Sequence, residues 1–196
     1  MNYPDTSMQT TGVSHPETTL ATLLGAGRWR LSLAVALAAV SGALFRRPVW
    51  DSRTASLFLG AFLFALACTW WNQIQERHRD GRMRRTRTRP LPRNTIPVLH
   101  AILWTGFCFA VSLPFLFACG GWAAMGVLAS VLLLYNGLYT LLKGRTLLAL
   151  FPGAVAGAMP PVLGWVCAGG APWDREAITL GLLFLLWQVP HFWLAA

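Results

Sequence analysis

Most of this chain consists of six apolar stretches, each close to the roughly 20 residues that an α-helix needs to cross a bilayer. They span approximately residues 29–45, 54–75, 96–118, 122–142, 146–168 and 177–196. Hydrophobic residues make up 55% of the 196 residues and charged residues only 12%, which is more apolar surface than a soluble domain of this size can bury. The sequence therefore predicts an all-α, polytopic membrane protein with six transmembrane helices and the lipid bilayer as its solvent.

The net charge of +9 reflects where the basic residues lie along the chain. If the first segment enters from the cytoplasm, twelve of the sixteen lysines and arginines flank the inner ends of the segments. The other four are Arg46, Arg47, Arg53 and Arg175. Membrane proteins concentrate positive charge on the cytoplasmic side, so we interpret the charge as a topology signal and expect no nucleic-acid partner. The inner ends of segments two, four and six then share one cytoplasmic mouth.

The first 27 residues contain no lysine or arginine and are rich in threonine and serine. Signal peptides begin with basic residues and organellar transit peptides are rich in arginine, so neither description fits. We expect residues 1–27 to form a short disordered cytoplasmic tail and residues 28–196 to form one transmembrane domain. The absence of an organelle address favours a bacterial plasma (inner) membrane.

The four cysteines have no paired spacing along the chain. Cys68, Cys108, Cys119 and Cys167 lie singly within or at the ends of apolar segments. Metal-binding and redox motifs place cysteines in close pairs such as CxxC. We therefore predict that all four are small core residues.

A polar stripe continues from the inner end of the second segment. Asn72, Glu76 and Asp80 recur every four residues, so on a continuing helix their side chains stack about 6 Å apart along the axis. Eight arginines follow between Arg77 and Arg93. Carboxylate and amide oxygens suit a hard cation such as Mg²⁺, and arginines suit phosphate, so the pattern indicates a diphosphate site. The alternative is a polar cap with its acids paired to neighbouring arginines, which anchor topology or contact anionic lipid.

A second polar stripe lies in the fourth segment. Tyr135, Tyr139 and Lys143 recur every four residues, and Arg145 follows. Interfacial tyrosines and a snorkelling lysine would give the same pattern on any transmembrane helix, so both interpretations stay open.

The last two segments contain helix-breaking and polar residues. Gly153 and Gly157 form a GxxxG pair, which predicts close approach of two helix backbones. Pro160 and Pro161 predict a break or kink beside protein or a wet cavity. Gln188, Pro190 and His191 interrupt the sixth segment near its inner end, which favours a functional site over simple packing.

The first stripe and the loop after it resemble a known motif. Asn72-x-x-x-Glu76-x-x-x-Asp80, then Arg85-Thr86-x-x-Arg89-Pro90-Leu91, is similar to the first acidic motif of UbiA-type intramembrane prenyltransferases, with Glu76 where the family usually has Asp. YTLLKGRT (139–146), PGAVAGAMPPVLGW (152–165) and WQVPHFW (187–193) resemble the heme O synthase subfamily. The resemblance covers the chain from about Trp29 to its end.

The resemblance implies a ring of nine transmembrane helices around a central cavity, of which this chain would supply six. A second acidic motif would follow the sixth helix, so we expect the chain to be truncated at its C-terminus. The implied activity is transfer of a farnesyl group from farnesyl diphosphate to a vinyl group of protoheme IX (heme B), giving heme O for terminal oxidases. Two alternatives remain: prenylation of an aromatic quinone precursor such as 4-hydroxybenzoate, and an inactive fragment or non-enzymatic membrane protein.

The resemblance also implies roles for single residues. Asn72, Glu76 and Asp80 would hold Mg²⁺ as the catalytic site, and the diphosphate would bind to Arg85, Arg89, Lys143 and Arg145. The acceptor would contact Tyr139, Gln188 and His191. The expected partners are farnesyl diphosphate, protoheme IX and the lipid bilayer, with association with heme A synthase or terminal oxidase assembly.

Overall fold

The structure, a computed structural model, describes Leu23 and residues 28–195. The predicted tail therefore lies outside the described residues, apart from Leu23. The described part contains helices and no strand, which confirms the all-α prediction. Its α-helices are α1 Trp29–Arg46, α2 Ser52–Arg82, α3 Val98–Val131, α4 Thr140–Leu142, α5 Leu150–Cys167 and α6 Arg175–Ala195. A π-helix, Leu132–Tyr139, joins α3 to α4, and a 3₁₀ turn, Leu147–Ala149, precedes α5.

Four helical stretches of the described chain are long and apolar enough to cross a membrane. They are Trp29–Arg46, Ser52–Arg82, Val98–Leu142 and Leu150–Cys167. The third has 45 residues and would measure about 67 Å if straight, more than twice the thickness of a hydrocarbon core. It is interrupted at Gly121, whose φ of 55° and ψ of −147° are not helical. Gly121 lies between the third and fourth predicted segments, and the count of six spans stays a prediction.

The contacts with α2 indicate that the chain reverses direction at Gly121. Before the glycine, α3 runs antiparallel to α2, because later residues of α2 contact earlier residues of α3. Arg53 donates to the carbonyl of Cys119, and Phe64 packs edge-on against Phe109. After the glycine, the chain runs parallel to α2, because later residues of α2 contact later residues of this half. Asn136 donates to the carbonyl of Cys68, and Lys143 pairs with Glu76. The two halves of this long stretch therefore pack on α2 in opposite directions.

Of the predicted break or kink at the two prolines of α5, the break is wrong and the kink stays a prediction. The helix is continuous from Leu150 to Cys167, with Pro160 and Pro161 inside it. Because Pro161 has no N–H, the carbonyl of Gly157 four residues earlier loses its helical partner. The Nε2 atom of Gln188 on α6 donates to that carbonyl at 3.3 Å. A neighbouring helix thus supplies the donor that the proline removes.

The glycines of the GxxxG pair contact side chains rather than another backbone. A Cβ at Gly153 would lie 2.8 Å from the ring of Tyr139, and one at Gly157 would lie 2.7 Å from the amide of Gln188. The close backbone approach in the described structure is between α1 and α5, where a Cβ on Gly164 would overlap the carbonyl of Ala39. The pair therefore makes room for two side chains near the cavity described below.

Hydrogen bonds hold the end of α5 to the start of α6. The Asp174 carboxylate accepts from the Trp165 indole at 2.8 Å and from the backbone N–H of Ala171 at 2.9 Å. These bonds, the indole bond first, hold the pKa of Asp174 below its usual value. The Arg46 guanidinium stacks over the Trp165 ring at 4.8 Å, so α1 joins the same cluster.

Candidate active site

A cavity of about 760 Å³ lies between α1, α2, α3, the π-helix, α5 and α6. Charged side chains from the C-terminal end of α2 and from the loop after it surround one end. Apolar residues, among them Phe64, Val127 and Leu163, line the rest. Phe64 lies twelve residues before Glu76 on α2, about 18 Å along the helix axis. The cavity is therefore a deep apolar chamber with a charged mouth.

The predicted stripe forms because α2 continues to Arg82 without a break. Asn72, Glu76 and Asp80 all line the cavity, and each is at most 6% exposed. Polar groups buried to this extent need partners, and each of the three has one on another segment.

Glu76 forms an ion pair with Lys143. The Nζ atom of Lys143, just after α4, lies 2.7 Å from both carboxylate oxygens and forms a hydrogen bond with Oε2. The Oε1 atom is buried and makes no hydrogen bond. Lys143 thus lies against both oxygens, so the carboxylate can bind another cation only when Lys143 moves away.

Asp80 forms an ion pair with Arg89 of the arginine loop. The Nη1 atom of Arg89 lies 2.6 Å from Oδ2 of Asp80. The loop is folded back on the helix end, because the hydroxyl of Thr86 donates to the backbone carbonyl of Asp80 at 3.0 Å. Buried Leu91 anchors the far side of the same loop in the apolar cluster of α2 and α3. This fold places Arg85 and Arg89 at the cavity mouth.

Asn72 bonds to the segment that carries the second polar stripe. Its Nδ2 atom donates to the hydroxyl of Thr140 at 3.0 Å, and that hydroxyl donates to the carbonyl of Tyr135 at 2.8 Å. The carbonyl of Tyr135 lies five residues back, the spacing of a π-helix. Gln75 adds a bond from Nε2 to the carbonyl of Asn136 at 3.0 Å. These bonds fix the π-helix against the acidic stripe.

The second stripe forms a column of stacked groups on the cavity wall. The rings of Tyr135 and Tyr139 stack with centroids 5.6 Å apart and planes 14° apart. The Nζ atom of Lys143 lies 5.3 Å from the centroid of the Tyr139 ring. All three residues line the cavity. The π-helix therefore turns both tyrosines toward the interior.

Two further arginines, which were not among the predicted site residues, line the mouth. Arg28 precedes α1, and Arg79 precedes Asp80 on α2. A Cβ on Gly144 would overlap the guanidinium of Arg79, so that glycine leaves room for the arginine. The position of Arg79 next to Asp80 of the acidic stripe could have been used to predict that it lies at the mouth. Arg28 could not be found this way because tertiary packing alone brings it to the mouth.

The remaining predicted residues differ in position. Gln188 lines the cavity beside Gly157. Arg145 lies on the exposed turn after α4 and is not among the residues that line the cavity. The backbone of His191 belongs to α6, but its side chain lies outside the part of the chain that the structure describes.

The donor set is compatible with a divalent cation that also binds a substrate. Within the described residues no group of three or more His, Cys, Asp or Glu could hold a metal by itself. Mg²⁺ is commonly bound by one or two carboxylates together with substrate phosphates and water. Asn72, Glu76 and Asp80 offer two carboxylates and an amide at the same end of the cavity. The set therefore fits a cation shared with a phosphate ligand.

Comparison with known proteins identifies the family to which this chain is similar. The model of the UbiA prenyltransferase family matches residues 31–196. The protoheme IX farnesyltransferase of Oleidesulfovibrio alaskensis is 41% identical over 169 residues, which cover 86% of this chain and 60% of the relative. That of Geobacter sulfurreducens is 44% identical over 170 residues, covering 85% of this chain and 62% of the relative. The mitochondrial protein of Arabidopsis thaliana is 37% identical over 133 residues, covering 68% of this chain and 31% of the relative.

The chain thus spans about 60% of the length of these bacterial relatives. No solved structure matches it. Its long apolar helices and this similarity identify a multi-pass membrane protein. Because the family match covers more than half of the sequence, the chain belongs to the UbiA prenyltransferase family.

Proposed function

We propose that the full-length protein transfers the farnesyl group of farnesyl diphosphate to a vinyl group of protoheme IX, giving heme O. The observation that carries this proposal is the meeting of Glu76, Asp80, Lys143 and Arg89 at the mouth of one apolar cavity. A diphosphate with an isoprenoid tail matches both parts of the cavity. The names of the bacterial relatives support the choice of farnesyl donor and heme acceptor.

The diphosphate binds at the mouth by exchange of ionic partners. In the described structure Lys143 and Arg89 neutralise Glu76 and Asp80. Lys143, Arg89 and Arg85 then turn to the phosphate oxygens, where charge-assisted hydrogen bonds are stronger than neutral ones. Arg145 adds longer-range attraction from the exposed turn. The exchange keeps every buried charge paired before and after binding, which avoids the cost of an isolated buried ion.

Asn72, Glu76 and Asp80, once released from their partners, would be the residues that hold a Mg²⁺ ion bound together with the diphosphate. A bound Mg²⁺ supplies stabilisation of the negative charge that develops on the leaving diphosphate. Thr140 keeps the Asn72 amide oriented for this role, because it accepts a hydrogen bond from Nδ2 and leaves the amide oxygen for the cation. Glu76 reaches further than the aspartate usual at its position, so its carboxylate contacts both Lys143 and the cavity.

The farnesyl chain occupies the apolar part of the cavity. A volume of about 760 Å³ falls within the usual range for small-molecule sites. The walls around Phe64, Val127 and Leu163 bury the isoprenoid tail, and the bound diphosphate would close the mouth to water beside the reacting carbon. Exclusion of water prevents hydrolysis of an allylic cation before the acceptor arrives.

Transfer breaks the bond between the allylic carbon and the diphosphate oxygen and forms a bond to the terminal vinyl carbon of protoheme. Water then adds to the cationic carbon next to the porphyrin and releases a proton, which gives the hydroxyl group of the product. The face of the Tyr139 ring, which already lies near a cation, stabilises positive charge in the chamber. We assign acceptor contacts to Tyr139, Gln188 and His191.

The test is heme O formation by membranes that contain the full-length protein, measured by chromatography and mass spectrometry. Glu76→Ala and Asp80→Ala should each reduce the rate at least about 100-fold, because the positioning of the leaving group is lost. Glu176→Ala, which removes an exposed acid that does not line the cavity, is the matched control and should keep most of the rate. Equal conversion by both acidic variants and the unchanged protein would exclude the proposed diphosphate site. Supplying 4-hydroxybenzoate in place of protoheme tests the alternative acceptor.

We further propose that residues 28–196 form part of one transmembrane domain in a bacterial plasma membrane. The N-terminus and the cavity mouth face the cytoplasm, as the distribution of basic residues favours. Labelling of variants that carry a single cysteine at position Arg82 or Arg87 in intact cells tests this orientation. Reaction of that cysteine with a membrane-impermeant reagent would contradict it. Association with heme A synthase or terminal oxidase assembly is tested by co-purification from the same membranes.

A further inference from the structure

Two cysteines that are far apart in sequence are in contact. The Sγ atoms of Cys119 and Cys167, separated by 48 positions, lie 2.6 Å apart, and both residues are only 2% exposed. Spacing along the chain predicts four isolated cysteines, because this pair is created by packing. Among the described residues, Cys68 and Cys108 do not form a comparable pair.

The fold brings these two thiols together by holding two helix ends in place. Cys119 lies two residues before the reversal at Gly121, and Cys167 is the last residue of α5. The guanidinium of Arg53 holds the first end, since its Nη2 and Nε atoms donate to the carbonyl of Cys119 at 2.7 and 3.1 Å. Gly120 allows the approach, because a Cβ there would lie 3.1 Å from the Sγ atom of Cys167.

The pair lies at the opposite end of the molecule from the cavity mouth. Arg53, which contacts Cys119, and Glu76, at the mouth, are 23 residues apart on the continuous helix α2. That separation is about 35 Å along the axis, slightly more than a hydrocarbon core. With the mouth on the cytoplasmic side, the cysteine pair reaches the outer face, where disulfides form and persist. This step uses the proposed orientation and not the proposed reaction.

We propose that Cys119 and Cys167 form a disulfide in the mature protein. Each thiol loses its proton, the two sulfur atoms join, and two electrons pass to the disulfide of a thiol–disulfide exchange partner, which is reduced to two thiols. The exchange takes place before α5 packs fully, while both thiols are accessible. The bond then ties the reversal between the two halves of the long helical stretch to the end of α5. It constrains the unfolded chain and so stabilises the fold around the cavity.

Differential labelling of the full-length protein in cells tests the bond. Cells are quenched with acid, free thiols are blocked with N-ethylmaleimide, disulfides are reduced, and the new thiols receive a heavy-isotope maleimide. Peptide mass spectrometry should find the heavy label on Cys119 and Cys167 and the light label on Cys68 and Cys108. Light label on all four, or a pairing with another cysteine, overturns the proposal. Because the quench precedes lysis, oxidation in air cannot produce the expected result.

A stability measurement gives a second readout. A reductant should lower the midpoint of thermal unfolding of the purified protein by several degrees. The same reductant should not change the midpoint of the Cys119→Ser/Cys167→Ser variant, and Cys108→Ser should respond as the unchanged protein does. Neither residue lines the cavity, so these variants are expected to retain heme O formation. A midpoint of the unchanged protein that does not respond to the reductant contradicts the proposal, whatever the outcome for the enzymatic reaction.

Discussion

The ion pair between Glu76 and Lys143 makes a quantitative prediction for the ligand-free protein. The Glu76 side chain is 7% exposed and the Lys143 side chain 29% exposed, with Nζ 2.7 Å from the carboxylate. Lys143→Met keeps the apolar stem and removes the charge, which leaves a buried carboxylate without its cation. We expect this substitution to destabilise the protein even though it replaces a polar group with an apolar one.

The magnitude follows from burial. Removing one partner of a fully buried pair costs about 3–5 kcal/mol. Lys143 is partly exposed and the cavity admits water, so screening reduces the cost to about 2 kcal/mol. For a domain of this size that change lowers the midpoint of thermal unfolding by about 4–8 °C. Adding Glu76→Gln to Lys143→Met removes the isolated charge and should restore most of the loss.

The assay is thermal unfolding of the purified, ligand-free protein for the two single variants and the double variant. The exposed pair of Arg47 and Asp51, with side chains 46% and 30% exposed, provides a matched control. Arg47→Met should lower the midpoint much less than Lys143→Met does, because solvent screens an exposed pair. The reasoning fails if the double variant is as unstable as Lys143→Met, or if the exposed pair matters as much as the buried one.

Three other predictions test the packing, the loop after α5 and the mouth. Gly164→Ala should lower the unfolding midpoint by several degrees, because its Cβ overlaps the backbone of α1, whereas Gly126→Ala in open space should be neutral. Asp174 has a pKa held below 3.8 by the indole hydrogen bond, so its contribution to stability is present above that pH and is lost as the pH falls through the folded-state pKa. When the pH is lowered from about 6 to about 3, the midpoint of thermal unfolding should therefore fall less steeply for Asp174→Asn than for the unchanged protein. Arg89→Gln should weaken pyrophosphate binding in calorimetry at least about tenfold and Arg145→Gln less than about threefold, since only the first lines the cavity.

Local patterns in the sequence predicted the features that depend on one helix. The four-residue spacing of Asn72, Glu76 and Asp80 gave a buried stripe because α2 continues through all three positions. The apolar stretches agree with most helix bounds within a few residues, but α2 continues to Arg82, seven residues beyond the predicted segment 54–75. The third and fourth predicted segments form one stretch that is interrupted at Gly121. Such features depend on periodicity and composition, which a single sequence contains.

Features that depend on a distant partner were missed or predicted wrongly. A proline pair normally breaks a helix, but Gln188 supplies a donor to Gly157 from 31 positions away, so α5 continues. The contact of Cys119 with Cys167 likewise requires the reversal at Gly121 and the end of α5 to meet. No local pattern encodes either encounter.

The most direct test of the central claim is equilibrium binding of farnesyl thiodiphosphate, an unreactive analogue, to the full-length protein by calorimetry. The account predicts binding that requires Mg²⁺ and weakens at least about tenfold in Asp80→Asn, which keeps the shape of the side chain and removes its charge. Equal affinity with and without Mg²⁺, together with unchanged affinity in Asp80→Asn, would contradict the assignment of the acidic stripe to a metal-bridged diphosphate.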